Sequence, residues 1–301
     1  MHSPRANRIV VHPSALGLLM ALCCAVAAKG AGRDDSPLSK LNWLKGPVIA
    51  TLGNVAQIQV PEGYNFLDGK GTRAMFKAFG EPTSGQELGL ITPTNREARW
   101  SVVFEFSDIG YVKDDDKDKL DADKLLKSIK QGNDYANEER KKSGVPPLNI
   151  VGWEVPPKYN EESHNLEWAI RAESEGRPIL NYNTRILGRK GVMEVVLIVP
   201  PDNLSTILPK FRDLMKDYDY KSGQAYTEYK SGDKIAKYGL AALITGGAVA
   251  VAAKTGLLAG LVLFLKKGWK LLVFAVVAVI AFFKRIIFGR SARSDTSADA
   301  Q

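Results

Sequence analysis

The sequence predicts an α+β fold class: an exported domain with a mainly antiparallel sheet packed by helices, followed by C-terminal transmembrane helices. Three observations carry this expectation. Residues 238–265 hold one charged side chain in 28 residues, and 271–283 hold none, whereas 42–230 mix polar and apolar residues as a water-exposed domain does. Within 42–230, strand-like alternation and helical spacing fall in separate stretches and do not repeat as strand–helix–strand units. The formal charge of +8 sits at the two ends. Residues 1–33 carry four basic side chains and no acid, and 234–301 carry ten basic and two acidic ones. Residues 34–233 hold 27 basic against 31 acidic. A mildly acidic middle excludes nucleic acid as its expected partner.

Taken in order, residues 1–27 read as a signal peptide. Arg5 and Arg8 form a basic start, Ala15 to Leu22 an apolar run, and Ala25-Val26-Ala27 a small-residue cleavage site. Cleavage there removes Cys23 and Cys24, the only cysteines, and leaves a mature chain without thiol chemistry. Residues 28–41 follow as a linker, and 42–230 form the extracytoplasmic domain.

In "RWSVVFEF", Trp100, Val102, Phe104 and Phe106 alternate with Arg99, Ser101 and Glu105, the pattern of a half-buried strand. "DADKLLKSIKQGNDYANEERKKSG" opens on aspartates, presents Leu125, Leu126 and Ile129 on one face and closes on Arg140, Lys141, Lys142 and Gly144. "HNLEWAIRAE" puts His164, Leu166, Trp168, Ile170 and Ala172 on one face, and "PILNYNTRIL" does the same for Leu180, Tyr182, Thr184 and Ile186. A three-residue loop at Glu175–Arg177 would pair Ala172 with Leu180, Trp168 with Thr184 and Glu167 with Arg185. The outward stripe Glu167, Arg171, Asn181, Asn183 and Arg185 then becomes the candidate ligand face. "VMEVVLIV" is apolar on both faces, as a central strand is. A helix is expected near Ser205–Lys216, with Pro209 close to its first turn. The sheet is expected to be covered on one face.

Residues 231–237 read as a linker to the membrane, 238–265 as a first transmembrane helix, 269–288 as a second transmembrane or interfacial helix, and 289–301 as a disordered tail. Ala248, Ala252, Gly256 and Gly260 recur every four residues, a small-residue stripe along which another helix packs closely. Lys254 lies off that stripe and is a candidate intramembrane charge, either reaching toward the interface or pairing with an acid of another chain. The expected partners are the lipid bilayer and, through these helices, a protein partner or further copies of the chain.

No nucleophile elbow or phosphate loop is present. "DDDKDK" at 114–119 lacks the glycine and final glutamate of a calcium loop. No catalytic, metal or cofactor residues are therefore assigned. His164, the single histidine left after signal cleavage, is expected at the edge of the core.

The segments "PEGYNFLD", "GYVKDDD", "GWEVPPKYN", "LEWAI", "NYNTRILGR" and "GDKIAKYGLAALI…AAKTGL" resemble a bacterial family of uncharacterised membrane-anchored proteins, a domain of unknown function. The resemblance runs from about Asn42 to the chain end and implies an exported domain with a C-terminal anchor, located at the cytoplasmic membrane. It implies no activity and no site residues. The strands-then-helix ending is also similar to that of photosystem oxygen-evolving accessory proteins. The functional expectation is a membrane-anchored envelope module that binds a protein partner or envelope ligand. The alternatives are an accessory subunit of a membrane transporter or channel, for which Lys254 is the clue, and a hydrolase using His164 with a nearby carboxylate.

Overall fold

Alternating apolar strands build an eight-stranded antiparallel sheet in the computed structural model, which describes residues 41–246 apart from 80, 82 and 143. The described residues fall within one unit of the chain, Met1–Val249. The strands are β1 (Leu44–Lys45), β2 (Val48–Leu52), β3 (Ala56–Val60), β4 (Tyr64–Asp68), β5 (Glu87–Pro93), β6 (Ser101–Ser107), β7 (Asn149–Asn160), β8 (Asn165–Ser174), β9 (Arg177–Leu187), β10 (Val192–Val199) and β11 (Tyr218–Tyr220). The helices are α1 (Gly69–Ala78), α2 (Ala122–Lys142), α3 (Leu204–Met215) and α4 (Leu240–Thr245). The large sheet runs β1-β4-β5-β6-β10-β9-β8-β7, and a small sheet runs β11-β3-β2.

Because successive strand residues point to opposite faces, the partition of β10 shows how the layers are arranged. Val195 and Leu197 join a first core with Phe104, Tyr182, Ile58 of the small sheet and Phe211 of α3. Val196 and Ile198 join Met75 and Phe76 of α1 on the other face, where Val192 packs with Leu125 and Ile129 of α2. Both faces of the sheet are therefore covered, not one. β10 lies centrally, as its apolar run requires, while Glu105, expected on a wet face, is 4% exposed.

The helices form where the spacing places them. Asp121 Oδ1 accepts the Lys124 N–H at 3.1 Å at the start of α2. α2 runs unbroken through Gly132 and Asn133, and Asn133 and Asn137 both bond the Leu148 backbone at the head of β7. Pro209 sits inside α3, beyond its first turn, and a 3₁₀ turn at Pro201–Asn203 precedes the helix. Ile207, Phe211 and Leu214 remain on its buried side.

Two further expectations need correction. Ser174 pairs with Arg177 and Ala172 with Ile179, so the β8–β9 loop has two residues, Glu175 and Gly176. Their φ values of 52° and 72° are both left-handed, as in a type I′ hairpin turn. This register differs by one residue from the three-residue loop, and a one-residue slip turns a strand over. Trp168 and Ile170 consequently face the second core, while Leu180 and Tyr182 face the first.

The second correction concerns residues 231–246. The segment 231–237 is not a free linker. Ile235 forms a bridge with Tyr111, the Ala236 N–H bonds Tyr111 O at 2.8 Å, and Arg189 grips Asp233 through two bonds of 2.7 and 2.8 Å. Asp116 accepts the Leu240 and Ala241 N–H groups at the start of α4. Leu240 and Ile244 are fully buried in the second core. The expected helix 238–265 is interrupted at Gly246, whose φ of 65° ends α4. Among the described residues no helix is long and apolar enough to cross a membrane. The rest of the two expected spans lies outside the described residues.

The turn gives a direct check on the register. A Cβ at Gly176 would meet nothing within 4 Å, so any cost of Gly176→Ala comes from its left-handed backbone. The expected loss is about 1–2 kcal/mol, read by urea unfolding, with Glu175→Asn neutral or stabilising. Unchanged stability of Gly176→Ala would contradict the two-residue turn.

Candidate functional site

The predicted ligand stripe does not survive the corrected register as one surface. Glu167 and Arg171 belong to the first face of the sheet, and Asn181, Asn183 and Arg185 to the second. Glu167 Oε2 accepts the Tyr182 hydroxyl at 2.6 Å and lies 3.8 Å from Arg212. Burial, then the Glu167 carboxylate, pushes the Tyr182 phenol up to about 12. Arg171 pairs with Glu154 at 2.8 Å. Asn181, Asn183 and Arg185 are buried, not outward. Arg185 does not meet Glu167. Its cross-strand neighbours are Leu166 and Glu194, its guanidinium lies 2.9 Å from Glu194 Oε2, and its planar group stacks 4.9 Å over Trp168.

That contact is one link in a row crossing the sheet. The strand registers set Glu87 opposite Glu105, Glu105 opposite Glu194, Glu194 opposite Arg185, Arg185 opposite Leu166, and Leu166 opposite Tyr159. Directly opposed residues share a face, so three glutamates and one arginine lie side by side under α1 and α2. Ser107 donates to Glu194 Oε1 at 2.5 Å, and the Ser84 N–H donates to Glu87 Oε1 at 2.6 Å. Glu105 Oε1 and Glu87 Oε2 are buried without a hydrogen-bond partner, although Arg73 Nη1 stands 3.8 Å from Glu87 Oε2.

Arg185 pairs with Glu194 and Arg73 reaches Glu87, which leaves Glu105 as the carboxyl of the row with no ion pair in a low-dielectric layer, where the protonated form is favoured. Burial raises the Glu105 carboxyl to about 7, and Glu194 and Glu87 add to the effect. Arg185 and the Ser84 hydroxyl oppose it. The arrangement can therefore hold and release one proton near neutrality.

The far end of the row enters a second cluster. Tyr159 donates its hydroxyl proton to Asp114 Oδ2 at 2.9 Å and meets His164 Nδ1 at 3.1 Å. A phenol that donates to the carboxylate must accept from the ring, which assigns a proton to Nδ1. His164 occupies a left-handed turn residue, φ 52°, with its ring 4.4 Å from Tyr226. Tyr111 stacks on Tyr226 at 4.4 Å and on Tyr229 at 4.4 Å, and the Tyr226 hydroxyl bonds Val112 O at 3.0 Å. The carboxylate that His164 reaches is Asp114, through the Tyr159 hydroxyl, and Glu167 lies on the other face of the sheet. Asp114 and Asp116 of the "DDDKDK" run bond Tyr159 and the start of α4, and Lys117 pairs with Glu161.

The glutamate row left little trace in the sequence. Glu105 occupies the polar half of a clean alternation, and only the two-sided apolar character of β10 signals that its neighbours are covered. The helix-packing stripe Ala248, Ala252, Gly256 and Gly260, and Lys254, lie outside the described residues.

Residues 45–278 match a family described as protein of unknown function (DUF2167). No curated protein matches the sequence. Among solved structures, cyanobacterial PsbP (CyanoP) from Synechocystis sp. PCC 6803 is similar at 12% identity and a TM-score of 0.36, covering 65% of this chain and 99% of that one. A protein of unknown function from Pseudomonas aeruginosa is similar at 14% identity and a TM-score of 0.24, covering 56% and 93% respectively. Similarity at these scores bears no weight for function.

The proton on Glu105 has a measurable consequence. Its carboxyl titrates near 7 when folded against 4.5 as a free side chain, so the folded state binds the proton more tightly. The stability this contributes is complete below about pH 4.5 and is lost as pH rises through about 7, a change on the order of 3 kcal/mol. Glu105→Gln cannot ionise, so urea unfolding at pH 5.5 and pH 8 should show a markedly smaller difference than in the native chain. An undiminished difference would place the proton elsewhere.

Proposed function

The chain belongs to the DUF2167 family, and on that premise we propose that it is a membrane-anchored envelope module which binds a protein partner or envelope ligand. In this reading a signal peptide exports residues 42–246, and the apolar segment beyond Gly246 holds them on the outer side of a bacterial cytoplasmic membrane. The observation that carries the reading is the continuity between domain and apolar segment. The chain passes from the Tyr111–Ile235 bridge through α4, whose Leu240 and Ile244 are core residues, and enters the long apolar stretch directly. The described residues that lead to this stretch are packed into the domain and do not form a free tether.

Binding is preferred to turnover because the groups best suited to chemistry already serve the packing. His164 is stacked on Tyr226 and bonded through Tyr159 to Asp114, and Asp116 caps α4. These contacts join the 111–116 loop, the β7–β8 turn and the C-terminal segment. Their chemistry is that of a clamp on the chain leading to the anchor.

Fractionation tests the reading. The full chain should remain in alkaline-washed membranes, be cut by protease added outside the membrane, and co-purify after solubilisation with a stoichiometric partner. Recovery in the soluble fraction would refute the anchor. Membrane retention with turnover that is abolished by His164→Gln would favour the hydrolase.

A further inference from the structure

Three of the eight large exposed hydrophobic side chains among the described residues fall within ten positions: Tyr229 at 41%, Ile235 at 38% and Tyr238 at 41% exposure. Their backbone is firmly held. Tyr229 packs on Tyr111, the Tyr111 N–H bonds Lys234 O at 2.8 Å, and Ala236 N–H returns to Tyr111 O at 2.8 Å. Around them Lys190, Lys230, Lys234 and Lys237 are exposed. Of the nearby acids, Asp233 is engaged by Arg189, whose hydrogen bonds hold its carboxyl down to about 2, Glu228 accepts the Gly223 and Ala225 N–H groups, and Asp108 and Asp115 are exposed. A cavity of about 240 Å³ adjoins this patch, lined by Arg189, Lys190 and Lys234 and by Asp108 and Asp233.

Tyrosines and an aliphatic side chain ringed by lysines have the composition of a surface at the headgroup level of a bilayer. The location agrees. α4 is six residues long, a rise of about 9 Å, so the patch ends within one short helix of the residues that begin the apolar stretch.

We infer that Tyr229, Ile235 and Tyr238, with Lys190, Lys230 and Lys237, form a docking surface for the phosphate headgroups of the bilayer that holds the chain. The inference rests on the membrane anchor proposed above, and it adds that the domain itself lies against the lipid in one orientation. The lysines take the lipid phosphates, and the two tyrosines and Ile235 enter the boundary between headgroups and acyl chains. Anionic lipid strengthens the contact, and salt weakens it.

The test uses the full chain with Cys23 and Cys24 replaced by serine, reconstituted in vesicles of phosphatidylcholine with or without phosphatidylglycerol. A fluorophore is attached at Ile235→Cys or, as a control on the other layer of the domain, at Ile49→Cys, where the native side chain is 61% exposed. A nitroxide carried on the lipid headgroup should quench the probe at 235 several-fold more than the probe at 49. Phosphatidylglycerol should widen that ratio, and a Lys190→Gln, Lys230→Gln, Lys237→Gln variant should narrow it. Equal quenching at the two positions in vesicle-bound protein overturns the docking surface and leaves the anchor standing. A probe at 235 that is shielded from water yet not quenched also overturns it, because protein then covers the patch. Failure to co-sediment with vesicles overturns the anchor and the docking surface together.

Discussion

Burial of the large sheet on both faces is the constraint from which the rest of this structure follows. A strand at the centre of such a sheet has no wet side, so β10 must be apolar throughout, and its one acid, Glu194, must find a partner within the layer. Glu194 takes Arg185 from β9 and Ser107 from β6. The same covering leaves Glu105, one strand further on, with a buried oxygen and two carboxylate neighbours. The proton expected on Glu105 is a consequence of packing, and the cross-strand register decides which side chains surround it.

The covering of the second face is assembled from distant parts of the chain. α1 closes one side through Met75 and Phe76, α2 closes the other through Leu125 and Ile129, and the C-terminal segment adds Tyr226, Leu240 and Ile244. That last contribution joins the domain to whatever holds the apolar stretch. Asp116, the Tyr111–Ile235 bridge and the Arg189–Asp233 pair all act on one 14-residue stretch, 233–246. Through Leu240 and Ile244 the described end of the chain is part of the second core.

Much of the fold was legible in the sequence. The α2 helix, the central position of β10 and the Trp100–Phe106 face all follow from periodicity, and those signals are strong because long amphipathic segments leave few alternatives. The face assignments of β8 and β9 were not legible. They depend on whether the intervening loop has two residues or three, and Glu175-Gly176 lacks the Asn-Gly or Asp-Gly that marks a type I′ turn. One residue of slip divided the stripe of Glu167, Arg171, Asn181, Asn183 and Arg185 between two layers. Glu105 was hidden for a related reason, since alternation identifies the side away from one core and carries no information about a second. Hydropathy alone likewise assigned Leu240 and Ile244 to a membrane span, because a buried globular helix and the start of a span have the same composition.

Hydrogen exchange on the full chain addresses the closing of the second face most directly. If residues 233–246 are part of the domain, the Ala236 and Tyr111 amides, which bond each other's strands, exchange as slowly as the amides of the sheet core around β10, opening only with global unfolding. Exchange of Ala236 and Tyr111 at the rate of an exposed linker, with β10 still protected, would show that the C-terminal segment lies outside the fold.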